Sequence, residues 1–210
     1  MIDPIEMIYC VVMSTATAMI GSHWIDCLYA RDDAPLTFPE QISARSRFRL
    51  PLLSIGFFIC MTALIDRPTV EALYLTAAAF LLLLMTATDF EQYVLFDVMN
   101  LALAIVGIAY ILHMQLPIVD HLTASAVGGG AFLLLTIATR GAIGGGDIKL
   151  VAALGLWFGA ERLLDVIFYG SIFGGVTALL MILSKQKDRK SIFAYGPYFT
   201  LTALYMLLID

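Results

Sequence analysis

Charge is what this sequence has least of. Asp, Glu, Lys and Arg make up 14% of its 210 residues, apolar residues make up 60%, and mean hydropathy is +0.89. That shortage excludes an ordinary soluble domain, in which about a quarter of residues are charged. Polar interruptions are too few to leave a soluble domain of useful size. A membrane span needs roughly 20 apolar residues and must satisfy its backbone internally, so the long apolar runs imply helices, not barrel strands. The expected class is all-α: one polytopic helical bundle over residues 1–210, with the lipid bilayer as its surroundings. The net charge of -5 says little about partners, since placement of Lys and Arg matters here and their sum does not. Nothing points to nucleic acid.

Cysteine is sparse as well. Cys10, Cys27 and Cys60 contain no CxxC spacing, which argues against a zinc site and against a disulfide framework. They read as small apolar residues in or near helices. His23 falls toward one membrane face and His113 with His121 toward the other, so no metal centre and no cofactor are expected. The N-terminus lacks the basic region of a signal peptide and carries Asp3 and Glu6 instead, so residues 1–29 are a retained first span.

The remaining chain divides by its polar interruptions. Residues 31–49, with Pro35, Pro39, Arg45, Arg47 and Arg49, form a loop, and segments follow at 50–65 and 72–88. Residues 89–97 are a short acidic connector. Further segments lie at 98–113, 122–139, 148–158, 163–183 and 193–209, and the basic run from Lys185 to Lys190 separates the last two. This gives about eight membrane segments, of which the sixth is short and either crosses a thinned bilayer or re-enters. Placing the N-terminus outside puts ten of the twelve Lys and Arg residues on the cytoplasmic side and leaves only Arg67 and Arg162 outside. Omitting one segment would destroy that asymmetry. Gly128, Gly129 and Gly130, and the Gly155/Gly159 and Gly170/Gly174 spacings, suit close helix packing within the bundle. Trp24, Trp157, Tyr195 and Tyr198 read as interfacial anchors.

In this topology Asp89 and Asp147 fall at the cytoplasmic ends of the third and sixth segments. Two carboxylates held close together do not both ionise easily, so one can activate water while the other supplies a proton. Fifty-eight positions separate them in sequence. A shared membrane face permits their meeting without requiring it, and two separately solvated acids remain the alternative.

Gly144-Gly145-Gly146-Asp147 is a Gly-x-Gly-Asp motif, followed by Ile148-Lys149-Leu150 and preceded by Thr88-Asp89-Phe90-Glu91 through Leu95-Phe96-Asp97. With the late step Ala194-Tyr195-Gly196-Pro197-Tyr198, the chain resembles the type IV prepilin peptidases, membrane aspartic proteases of the Gly-x-Gly-Asp class. The resemblance covers most of residues 86–210. It implies that Asp89 and Asp147 are the catalytic pair and that Gly144 and Gly146 shape the backbone so that they can meet. Lys149 would tune the pair, contact substrate, or snorkel to water. Glu91 and Asp97 would form a solvated acidic rim that attracts a basic leader. Phe96 stands where the family has proline before Asp97. Residues 30–49 stand in place of the family's zinc-binding insert with its two CxxC pairs, which implies a peptidase without a zinc site and argues against N-methyltransferase activity.

The expected function is therefore removal of basic leaders from prepilin-like or pseudopilin precursors at the cytoplasmic face of a bacterial inner membrane. The rival from another class is a small transporter using the same two aspartates to relay protons or bind a cation. The absence of a detectable internal repeat argues weakly against it.

Overall fold

The computed structural model describes residues 3–141, 143–184 and 193–209. Ala142 of the glycine stretch and the basic run from Lys185 to Lys190 lie outside the described residues. Among them there is no strand. The helices are α1 (Pro4–Tyr29), α2 (Ile42–Arg45), α3 (Arg49–Leu64), α4 (Thr69–Gln92), α5 (Asp97–His113), α6 (Ile118–Ala138), α7 (Gly145–Leu183) and α8 (Gly196–Ile209), and a 3-10 turn, Pro39–Gln41, precedes α2. α1, α4, α6 and α7 are long and apolar enough to cross a membrane, and α3 joins them when the bent 3-10/α2/α3 unit is counted as one span. α5 and α8 are shorter apolar helices. This is a multi-pass helical membrane protein.

Helix faces turned away from the bundle carry Leu52, Ile105, Leu134 and Leu180, all exposed. Apolar side chains spread so widely over the outside suit contact with lipid. α4 is the axis. Leu81 through Met85 are all buried, so this helix is covered around its whole circumference. It packs on α3, α5 and α8; α1 packs on α3; α7 packs most extensively on α6, and also on α5 and α8. α4 and α7 share no extensive interface, so the two aspartate-bearing helices approach one another only near their ends.

Three boundaries differ from the sequence expectation. The third segment does not stop before the acidic connector: α4 continues through Asp89 to Gln92, and the connector to α5 shrinks to residues 93–96. The expected loop at 31–49 is partly structured, and Arg49 is the first residue of α3. The short sixth segment and the seventh are not separated by a loop at Glu161 and Arg162. They form one helix broken at the single residue Gly159, whose φ of 66° and ψ of −174° are far from helical. Glycine tolerates this conformation because it has no Cβ. The Asp120 carboxylate, at the start of α6, accepts a hydrogen bond from the Ala160 N–H (3.3 Å) and restarts the helix beyond the break. Gly159 is thus the break and also, like Gly155, a point of close approach to α6, Gly159 at Asp120 and Gly155 at Ser125.

Trp157 is not an interfacial anchor either. It is buried, its indole Nε1–H donates to the Leu103 carbonyl (2.9 Å), and its ring stacks on Tyr110 with centroids 5.1 Å apart. A buried indole keeps a hydrogen-bond partner, and the backbone of α5 supplies one.

Candidate active site

α4 ends because Tyr93 adopts a left-handed conformation (φ 55°, ψ 42°) and its N–H returns to the Asp89 carbonyl at 3.0 Å. Asp89 therefore lies in the last helical turn, which fixes its backbone, and its side chain is only 5% exposed. The connector residues Val94, Leu95 and Phe96 turn inward and are buried. Phe96 is the N-cap residue of α5, in extended conformation, and Asp97 is the first residue of that helix.

Asp147 belongs to the opposite end of a helix. Gly144 is the N-cap of α7 and Asp147 is in its first turn, where an acidic side chain is favoured by the unpaired N–H groups. The Gly144 backbone supports the Asp147 carboxylate, in the manner of an N3 acid reaching back to its N-cap. The Gly196 backbone at the start of α8 does the same for Asp89. Each acid is thus served by the N-terminal backbone of a helix, and Asp147 lies close enough to Asp89 to act on it electrostatically.

Leu95 organises this junction. A Cβ placed on Gly146 would be 2.9 Å from the Leu95 Cβ, so the first turn of α7 rests directly on the connector that follows Asp89. A Cβ placed on Gly196 would be 3.1 Å from the Leu95 Cδ1 and 2.6 Å from the Asp89 Oδ2. Any side chain at 196 would collide with the carboxylate. At Gly144 an added Cβ would come within 3.2 Å of the Asp147 Oδ2.

The other sequence-derived candidates separate into two places. Lys149 and Asp97 pair with each other, Nζ to both carboxylate oxygens at 2.6 Å, on the exposed surface between α5 and α7. Glu91 is not part of a solvated rim. It is buried on the side of α4 that faces α1 and α3, where Arg49 grips its carboxylate with Nε at 2.8 Å and Nη2 at 2.6 Å, and the Tyr29 hydroxyl donates to it at 3.1 Å. Asp89 and Glu91 are two positions apart on one helix and so point to roughly opposite sides.

Sequence reasoning assigned no role to Gly196, Leu95, Arg49 or Tyr29. For Gly196 the Gly-Pro step was a signal, without indicating which side chain the glycine makes room for. At the exposed edge of the junction, the Phe90 ring meets Tyr198 edge-on with centroids 6.5 Å apart, and so links the residue after Asp89 to α8. Among the described residues no group of three His, Cys, Asp or Glu is placed to hold a metal ion. Two carboxyl groups that influence one another beside fixed N–H donors can divide general base and general acid between them.

Comparison with known proteins identifies the family. The profile of the Type IV leader peptidase family matches residues 75–179, half of the chain, and includes Asp89 and Asp147. A Neisseria gonorrhoeae protein named "Prepilin leader peptidase/N-methyltransferase" is 33% identical over 140 residues, which cover 64% of this chain and 46% of that protein. Proteins of the same name from Dickeya chrysanthemi and Aeromonas salmonicida are 26% and 30% identical over 198 and 165 residues. The first alignment covers 87% of this chain and 70% of its relative, the second 75% and 54%. The chain spans about half the length of most of these curated relatives. No solved structure matches.

Proposed function

The chain belongs to the type IV leader peptidase family, and we propose that it is a membrane aspartic endopeptidase that removes basic leaders from prepilin-like or pseudopilin precursors. Asp89 and Asp147 are its catalytic pair. The observation that carries this reading is the convergence of two carboxyl groups from the ends of α4 and α7 beside the backbone N-terminus of α8.

The ionised member of the pair takes a proton from water as the oxygen attacks the scissile carbonyl carbon. The protonated member donates to the carbonyl oxygen. When the tetrahedral intermediate collapses, the C–N bond breaks, the departing nitrogen takes up the proton held by the base, and a hydroxyl of the gem-diol returns its proton to the other aspartate as the carbonyl re-forms. Helix N-termini beside both acids provide fixed dipoles where charge changes during the reaction.

The topology that suits this function has the N-terminus outside and Asp89 and Asp147 at the cytoplasmic face of a bacterial inner membrane, because most Lys and Arg then face the cytoplasm. The family match favours peptidase over the proton- or cation-coupled transporter. Methyl transfer is not part of the proposal: residues 30–49 contain no cysteine and are occupied in holding the end of α4. The test is co-expression with a prepilin-like precursor. Asp89→Asn and Asp147→Asn should each leave the precursor uncut with the protein still in the membrane, and efficient cutting by either variant would overturn the assignment.

A further inference from the structure

Three consecutive residues after Asp89 are each fastened to the chain between α1 and α3. The Arg45 Nη2 donates to the Phe90 carbonyl at 2.9 Å, and the Arg45 Nε donates to the Glu91 carbonyl. The Glu91 carboxylate is held by Arg49 and Tyr29. The Gln92 side chain pairs with the Phe38 backbone in both directions, accepting from its N–H at 2.8 Å and donating to its carbonyl at 3.2 Å. The last turn of an α-helix leaves carbonyls without intrahelical partners, and here a guanidinium takes two of them.

Arg49 is the centre of this clamp. It is 4% exposed and spans three helices, because its third nitrogen, Nη1, donates to Asp26 of α1 at 2.6 Å while the rest of the fork grips Glu91 of α4. A planar guanidinium fixes both distance and angle of a carboxylate, which an ammonium does not. Asp26 is largely open to solvent, whereas Glu91 is shut in, so Arg49 is the group that compensates a buried charge two positions from Asp89.

We propose that Arg49 is a positioning residue for Asp89, acting through Glu91 to fix the last turn of α4 in both angle and depth. The role rests on the reading of Asp89 as catalytic. Arg49 touches neither aspartate. It sets the backbone from which Asp89 reaches the N-terminus of α8, and a displacement of about 1 Å at a reacting group costs on the order of 10²-fold in rate. The segment that lacks a zinc insert thereby acquires a definite task in this chain.

The experiment uses the full-length protein in detergent with a synthetic precursor peptide, a basic leader followed by an apolar segment, and measures kcat, KM and melting temperature. Arg49→Lys keeps the charge and loses the fork, so kcat should fall about 10-fold with KM within about 3-fold of wild type. Arg49→Gln leaves the Glu91 carboxylate uncompensated and should lose about 10²-fold in kcat. The double variant Arg49→Gln with Glu91→Gln removes that charge, offers an amide pair in its place, and should recover at least about half of the loss on a logarithmic scale. This recovery is the readout a merely structural arginine would not give. Wild-type kcat per folded molecule in Arg49→Lys, or no recovery in a folded double variant, would overturn the positioning role. Asp89→Asn is measured beside them: activity in that variant would overturn the reading of the site itself, independently of Arg49.

Discussion

The Gly196 backbone at the start of α8 meets the Asp89 carboxylate at the end of α4, and no atom can be added to Gly196 without displacing that carboxylate. A helix N-terminus and a helix C-terminal turn are thereby joined at one acid, with Asp147 arriving from the first turn of a third helix.

Replacing Gly196 by Ala should therefore act on catalysis more than on folding. The new methyl group would lie 2.6 Å from the Asp89 Oδ2 and push the carboxylate from its backbone donor. We expect kcat to fall by about 10²-fold, in line with the cost of misplacing a reacting group. Gel mobility of the processed precursor in a time course measures it. Near wild-type cleavage by Gly196→Ala would show that Asp89 works from another position.

Leu95 connects the approaches of both aspartates. Leu95→Ala should remove the branched end of the side chain from the N-terminus of α8 and destabilise the protein by about 2–3 kcal/mol, typical of a buried leucine truncation. Thermal unfolding in detergent would show a lower Tm, and cleavage should decline with it because the start of α8 beside Asp89 loses the Leu95 Cδ1, while the Leu95 Cβ against Gly146 remains. An unchanged Tm would indicate that the junction is not packed as described.

The Lys149–Asp97 pair gives the opposite expectation. Both side chains are more than half exposed, so Lys149→Ala or Asp97→Ala should alter stability by no more than about 1 kcal/mol. Cleavage should stay within a few-fold of wild type for a substrate with a short, weakly basic leader. A loss as large as that of Asp147→Asn would return Lys149 to the centre of the chemistry.

Asp120 offers a test far from the reaction. Its carboxylate restarts α7 after Gly159, and Asp120→Ala should cost about 0.5–2 kcal/mol, the usual range for a lost N-terminal cap. The expected signature is a lower Tm with kcat per folded molecule unchanged. A selective loss of kcat would mean that the break communicates with Asp147.

The sequence made the two aspartates visible because each stands at the edge of an apolar run, one beside glycines, and because alternate loops differ so strongly in Lys and Arg. Most of the apolar segments likewise correspond to helices in order, except that the sixth and seventh are one helix broken at Gly159. Arg49 and Glu91 were read as loop and rim because a charged residue next to an apolar run ordinarily meets water. That they neutralise one another inside the protein depends on α1, α3 and α4 packing together, which no local pattern announces. Trp157 was misplaced for a related reason. Its position near a segment end suggested an interface, while a gap beside Gly107 on α5 gives its indole a place inside. Gly159 kept its apparent packing spacing to Gly155, and only the backbone angles reveal that one of the two glycines interrupts the helix.

The break at Gly159 also separates two mechanical duties within α7. The half beginning at Gly145 carries Asp147 and lies against α6 and α5, where Gly155 meets Ser125 and Trp157 meets Leu103, whereas in residues 160–183 Gly170 and Gly174 lie against Phe199 and Tyr195. The first half thus carries one acid and the second half braces the start of the helix whose backbone meets the other, so a single broken helix steadies both aspartates.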